Sequence, residues 1–422
     1  MPKLIKLIII ILSCSMLSAQ SATLEITANF TPDVNNPSNN KFINTTPISG
    51  FCGRWLNYCN RNGIDFSINI PITTVKIKDI KANHEPRDGA YFKLPGVTSV
   101  TVKNEKGEHH ILEFKFKAFA ATIYRNRNSN DFRDQAFAWG GRTLSDQRCG
   151  NTALASSPGW QWYAFGWKWD GGTACYKRSN IDRLLGTDDH DSFEDQSIAY
   201  ELIAPNPLTM GDGVYTGSVT YTVGPGGDFD YGDAYSASDS VLTVNFTLKV
   251  THELKVRQDS GSDNVTLTPC YQGEECIKND AEKNWERWMV TNIPPQQMLG
   301  TSNFKISSSG SFTVYMKCGT GAALSSDTCP MVSEKSGTIV PVKAALTLPN
   351  NIADQSGNSV VNAPLYTEKS GSRNQFTTHL FGIEQPGKID FTIGKKDIIE
   401  MLKSRPDSWS GTVTIIFDPN IY

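Results

Sequence analysis

Apolar and polar residues alternate along most of this chain. The clearest run is Leu242, Val244, Phe246, Leu248 and Val250, with Thr243, Asn245, Thr247 and Lys249 between them. Leu24, Ile26, Ala28 and Phe30 alternate in the same way, as do Leu112, Phe114, Phe116 and Ala118 against Glu113, Lys115 and Lys117. A period of two sends successive side chains to opposite faces, so each run predicts a strand with one buried face. Further strands are expected over residues 64–70, 97–103, 215–223, 253–257, 311–317, 342–348 and 388–393. One helix is predicted, over residues 395–403, with Ile398, Ile399 and Leu402 on one face and Pro406 beyond its end. Together these patterns predict an all-β protein of the sandwich type.

The chain is long enough for more than one domain. The strand ending at Val250 is followed at once by another, with only Thr251 and His252 between them. A hairpin needs Gly or Asn at so short a turn, and neither is present. The joint therefore divides residues 23–250 from residues 251–422, giving two immunoglobulin-like β-sandwich domains in tandem. A single long bent strand within one domain is the alternative. The last pattern, residues 411–417 (GTVTIIF), sets Val413, Ile415 and Phe417 on one face, and only five residues follow. A sheet that stops on such a strand has no later segment to cover it, so completion by another polypeptide is expected.

Residues 1–22 read as a signal peptide. Lys3 and Lys6 flank the apolar run 4–12, and small and polar residues follow through Ala19 and Ala22. The run is too short to span a membrane. Cleavage after Ala19 is preferred to cleavage after Ala22, and a lipoprotein signal at Cys14 has a poor match. No later stretch is apolar enough for membrane insertion. Removing Cys14 with the leader leaves Cys52, Cys59, Cys149, Cys175, Cys270, Cys276, Cys318 and Cys329. An even set in an exported chain implies disulfides. Sequential pairing is the simplest connectivity, because it closes four short loops. Zinc fits less well, since no Cys-x-x-Cys pair exists and the six histidines are scattered. The formal charge is −3, and losing Lys3 and Lys6 makes it slightly more negative. Such a balance argues against a nucleic-acid partner.

Candidate chemistry concentrates between Cys149 and Cys175. Residues 158–170 (PGWQWYAFGWKWD) hold Trp160, Trp162, Trp167 and Trp169, with Tyr163 and Phe165 among them. An extended segment has two faces, and only one can enter a core. The other would offer rings to a sugar or a protein, with Arg142 and Arg148 close by in sequence. Packing of these rings against the first domain is the alternative. Asp228, Asp230 and Asp233, and likewise Asp188, Asp189 and Asp191, have partial calcium-loop character. Solvated turns are the preferred reading of both, so no metal and no cofactor is expected. The run 125–128 (RNRN) could meet an anionic sugar, with an exposed loop preferred. No Gly-x-Ser-x-Gly elbow and no His-Glu-x-x-His occurs. His109 and His110 are placed at the surface. A non-enzyme is expected, with an exported glycosidase as the rival.

Residues 409–419 (WSGTVTIIFDP) resemble the C-terminal strand of subunits exported by the bacterial chaperone–usher pathway. The two-part plan resembles their tip adhesins, the Cfa/CS1-type and cable-pilus tip subunits in particular. Residues 42–52 (FINTTPISGFC) and 215–224 (YTGSVTYTVG) resemble enterobacterial fimbrial adhesins. The resemblance implies a fimbrial tip adhesin. Its last domain would be an incomplete sandwich open to a donor strand, supplied first by a periplasmic pilus chaperone and then by an adjacent pilin subunit. An outer-membrane usher and a host-cell receptor, glycan in preference to protein, are the other implied partners. The implied location is the fimbrium tip, reached through the periplasm. Gly411, Val413, Ile415 and Phe417 would form the donor-strand groove. Residues 23–32 (TLEITANFTP) also resemble a donor extension, which would suit an internal or adaptor subunit. The preferred reading makes them the first strand of the first domain.

Overall fold

The computed structural model describes residues 21–33, 35–36, 38–124, 150–156, 162–186, 192–271, 280–319, 321–370 and 373–419. Strands dominate it, and the fold is all-β. Strands up to Val250 pair only with one another, and strands from Leu254 onward do the same, among the described residues.

The N-terminal part is built on a ten-stranded sheet. Its main path runs Ile43–Asn44, Ser21–Phe30, Val241–Val250, Gly213–Thr222, Thr98–Lys103, His109–Tyr124, Phe193–Ile203 and Ser67–Asn69. The long strand His109–Tyr124 pairs with Thr98–Lys103 along its first part and with Trp162–Lys168 along its second. Ser21–Phe30 lies parallel to Val241–Val250, in unbroken register from Ser21 against Val241 to Phe30 against Val250. Leu24, Ile26, Ala28 and Phe30 are buried beside Val244, Phe246, Leu248 and Val250. The alternation thus matches the buried face residue for residue. Residues 23–32 are not free to act as a donor extension in this arrangement.

Phe92 sits at the centre of an aromatic core. Its ring lies 4.3 Å from Phe119, 4.7 Å from Phe193 and 5.4 Å from Trp167, centroid to centroid. Offset and edge-on ring pairs at such distances each add to the burial energy. Asp230 is also inside, contrary to the solvated turn expected. It is 2 % exposed, and Arg87 reaches both of its oxygens at 2.8 and 3.2 Å. Gly226 N and Gly232 N donate to the same carboxylate. A buried carboxylate needs such partners. Asp233 takes the remaining Arg87 bonds, and Asp228 caps Thr222. Asp188, Asp189 and Asp191 lie outside the described residues.

The C-terminal part is a two-sheet sandwich. One sheet runs Leu254–Gln258, Gln297–Ser308, Gly382–Gly394, Ile339–Thr347, Thr328–Ser333 and Trp409–Ser410. The other runs Ile352–Asp354, Asn374–Thr378, Ser311–Cys318 and Val413–Asp418. The expected helix is found at Lys395–Met401, continued by a 3-10 turn, with Ile398 buried but Ile399 43 % exposed. A second helix, Ala281–Thr291, escaped the sequence reading. Disulfides join Cys52 to Cys59 and Cys318 to Cys329. Cys175 and Cys270 are also disulfide-bonded, while Cys149 and Cys276 lie outside the described residues.

Ile26 has no exposed surface. Replacing it with Ala should cost about 2–5 kcal/mol by cavity formation. Urea denaturation of the mature protein checks this. An unchanged midpoint would mean that the first strand is not part of the folded core.

Candidate functional site

A β-sandwich hides its apolar faces only where its two sheets cover each other and their edges are closed. In the C-terminal part, one seam carries a groove among the described residues. Leu254–Gln258 stands at the edge of one sheet and Val413–Asp418 at the edge of the other. Between them lies a groove of about 560 Å³. Leu254 and Val256 line one side, and Val413, Ile415 and Phe417 the other. Phe304, Ile389 and Phe391 form its floor.

Each wall follows from local pattern. Val413, Ile415 and Phe417 face one way because strand side chains alternate. Their ladder partners on Ser311–Cys318 are Cys318, Met316 and Val314. The Phe417 ring meets Phe304 across the sandwich at 5.3 Å and Phe312 at 6.2 Å. All three groove residues of this strand remain half-buried rather than buried. Val256 is 37 % exposed. Leu254–Gln258 is laddered to Gln297–Ser308 on one side. One stretch of the groove wall is fastened down: Gln258 Nε2 donates to Ser262 O at 2.7 Å, and Ser302 Oγ donates to the same oxygen at 2.8 Å. The result is a trough that joins apolar side chains to polar positions at Gln258, Ser262, Asp263, Ser302 and Thr414, flanked by two strand edges. Its chemistry suits a strand that fills it with alternate side chains and bonds its edges.

Gly411 does not line this groove. The chain pairs with Thr328–Ser333 through Trp409–Ser410, then crosses to the opposite sheet as Val413–Asp418. Gly411 lies at the crossing, where a Cβ would stand 2.7 Å from Pro330 O. Its role is close backbone approach, which only glycine permits. The groove residues missed from sequence were Leu254, Val256, Phe304, Ile389 and Phe391. Leu254, Val256, Ile389 and Phe391 carried a signal, since they alternate within strands that were expected.

The tryptophans divide. Trp167 is 1 % and Trp169 4 % exposed, so both are core rings rather than surface contacts. Trp169 Nε1 donates to Thr173 O at 3.1 Å. Trp162 opens the strand Trp162–Lys168, with its side chain outside the described residues. Trp160, Arg142 and Arg148 lie outside them altogether, as do residues 125–128. His110 Nε2 lies 2.8 Å from Glu108 Oε1, and Gly211 N donates to the same oxygen at 3.0 Å. Burial opposes ionisation of Glu108, but these bonds outweigh it and hold the carboxyl below its ordinary value. This pair anchors a loop. Among the described residues, no group of three or more His, Cys, Asp or Glu is placed to hold a metal ion. No helix there is long and apolar enough to cross a membrane.

No family model matches the chain, and no curated protein matches it. Solved structures do align with it. One is a chaperone–tip adhesin complex of CFA/I fimbriae biogenesis, at 10 % identity and a TM-score of 0.22, covering 95 % of this chain and 97 % of the other. Another is the CsuC–CsuE chaperone–tip adhesion subunit pre-assembly complex from the archaic chaperone-usher Csu pili of Acinetobacter baumannii. It aligns at 9 % identity and a TM-score of 0.20, covering 95 % of this chain and 99 % of that one. TM-scores this low carry no weight for function. The groove stands independently of them.

Replacing Gly411 with Val should lower stability by about 1–3 kcal/mol, through overpacking against Pro330. Thr412→Val, one residue on and exposed, should change it far less. Chemical denaturation of both variants checks the contrast.

Proposed function

We propose that this chain is a chaperone–usher fimbrial subunit, placed at the fibre tip, whose C-terminal sandwich is completed by a strand from another polypeptide. The observation that carries the reading is the groove between Leu254–Gln258 and Val413–Asp418. A periplasmic chaperone occupies it during export, an outer-membrane usher receives the complex, and an adjacent pilin subunit replaces the chaperone in the fibre. The six-residue strand Val413–Asp418 spans about 20 Å at the usual rise. A donor strand of that length presents about three alternate side chains to the groove floor. Residues 23–250 form the receptor-binding domain and residues 251–422 the pilin domain, with the mature protein at the cell surface. The docked state of Ser21–Phe30 favours the tip over an internal position, because that strand is already used within its own sheet. The chain acts by binding.

A synthetic ten-residue peptide with apolar residues at alternate positions should raise the melting temperature of the mature protein. Stabilisation of about 2.7 kcal/mol is expected at a peptide concentration 100 times its Kd. A peptide of the same composition in scrambled order should have little effect, and Ile415→Asp should abolish the shift. Equal stabilisation by both peptides, or by neither, would count against the proposal.

A further inference from the structure

A second opening lies in the N-terminal part. The ten-stranded sheet curls until strands from opposite ends of its order meet. Asn44 Nδ2 donates to the Tyr200 hydroxyl at 2.9 Å, although Ile43–Asn44 begins the order and Phe193–Ile203 stands near its far end. Beside this bond is a cleft of about 700 Å³. That volume falls within the roughly 300–1,000 Å³ of small-ligand sites. Phe42 and Asn44 stand on one wall, Asp65 and Phe66 on a second, and Glu201 and Lys117 on a third.

The lining sets aromatic rings beside charged groups. Phe42 and Phe66 are half-buried, so part of each ring faces the opening. Phe66 stacks on Tyr200 at 6.3 Å and 28°. Tyr200 is 5 % exposed and forms floor rather than wall. Two carboxylates, Asp65 and Glu201, face two ammonium groups, Lys41 and Lys117. Their charges balance, which disfavours a strongly anionic ligand. Asp170 bonds Lys117 at 3.0 Å and holds its ammonium above the ordinary value. The walls are also fixed in place. Ile64 N donates to Cys59 O at 3.0 Å, tying the second wall to the loop closed by Cys52–Cys59. Asn44 Oδ1 accepts from Thr46 N at 3.0 Å. A preformed site spends less of its interaction energy on ordering.

Resting on the tip-subunit reading above, we infer that this cleft is the receptor site and that it takes a neutral oligosaccharide. Sugar rings carry apolar C–H faces that pack on aromatic rings, and hydroxyls that both donate and accept. Phe42 and Phe66 meet the first requirement. Asp65 and Glu201 accept from hydroxyls, and Lys117 donates to them. Trp167 and Trp169 of the Trp-rich segment are core rings rather than contact surface.

The test applies purified mature protein to an array of neutral and sialylated oligosaccharides. At least one neutral oligosaccharide should be retained. The isosteric double variant Asp65→Asn with Glu201→Gln should weaken that binding tenfold or more without moving the melting temperature. Phe66→Ala should weaken it as well, and the double variant keeps the test decisive if Phe66→Ala fails to fold. Retention of sialylated oligosaccharides alone, or of none, overturns the inference. So does binding that the double variant leaves intact, or binding displaced by an alternating apolar peptide, which would mark the cleft as a strand site. The peptide-induced melting shift, measured on the same preparation, reports on the fimbrial reading separately. A normal shift with no oligosaccharide retained would remove the cleft and leave that reading standing.

Discussion

The constraint on which this structure depends is the closure of a sandwich seam. An apolar sheet face must be covered, and a strand edge must have its backbone groups bonded. Phe391, Val413, Ile415 and Phe417 are half-buried where they line the groove, flanked by two sheet edges. Each exposed apolar Å² forgoes about 25 cal/mol of burial energy. A chain could remove that cost with one more strand of its own. On the proposed reading, a strand from another polypeptide removes it instead, and the stability of this half then depends on a partner.

The N-terminal part shows the contrasting solution. There the first strand returns to lie parallel to Val241–Val250, and its five inward side chains are buried. The two halves therefore spend similar sequence patterns differently. Ser21–Phe30 lies inside its own sheet, while Val413–Asp418 stands at a sheet edge. Gly411 makes the crossing between sheets possible, since the backbone passes close to Pro330 there. The short joint at Thr251 and His252 links the two halves through side chains as well. His252 lies 2.7 Å from Met210 O through Nε2 and 3.2 Å from Ser309 Oγ through Nδ1.

Strands with one buried face were legible because their pattern is local. Leu242 to Val250 is the clearest example, and the groove face of Val413, Ile415 and Phe417 was readable by the same rule. Features that depend on distant partners were not. Asp230 looked like a solvated turn because its partner, Arg87, lies 143 residues away. Trp167 and Trp169 looked like surface chemistry because periodicity cannot say which of two apolar faces is covered. The helix Ala281–Thr291 was hidden because its inward positions include a polar one: Asn284 is buried and donates to Pro269 O. The cleft at Asn44 and Tyr200 was invisible for a simpler reason, since it exists only once the sheet curls.

The most direct measurement is residue-resolved amide hydrogen exchange on the isolated protein, repeated with a complementing strand bound. Where an edge is open, outward amides exchange by local fluctuation rather than global unfolding. The outward-facing amides of residues 254–258 and 413–417 should exchange rapidly in the isolated chain and become protected on complementation, while Val241–Val250 stays protected throughout. If both edges are already as slow as Val241–Val250 in the isolated monomer, the seam is closed from within and the account is contradicted.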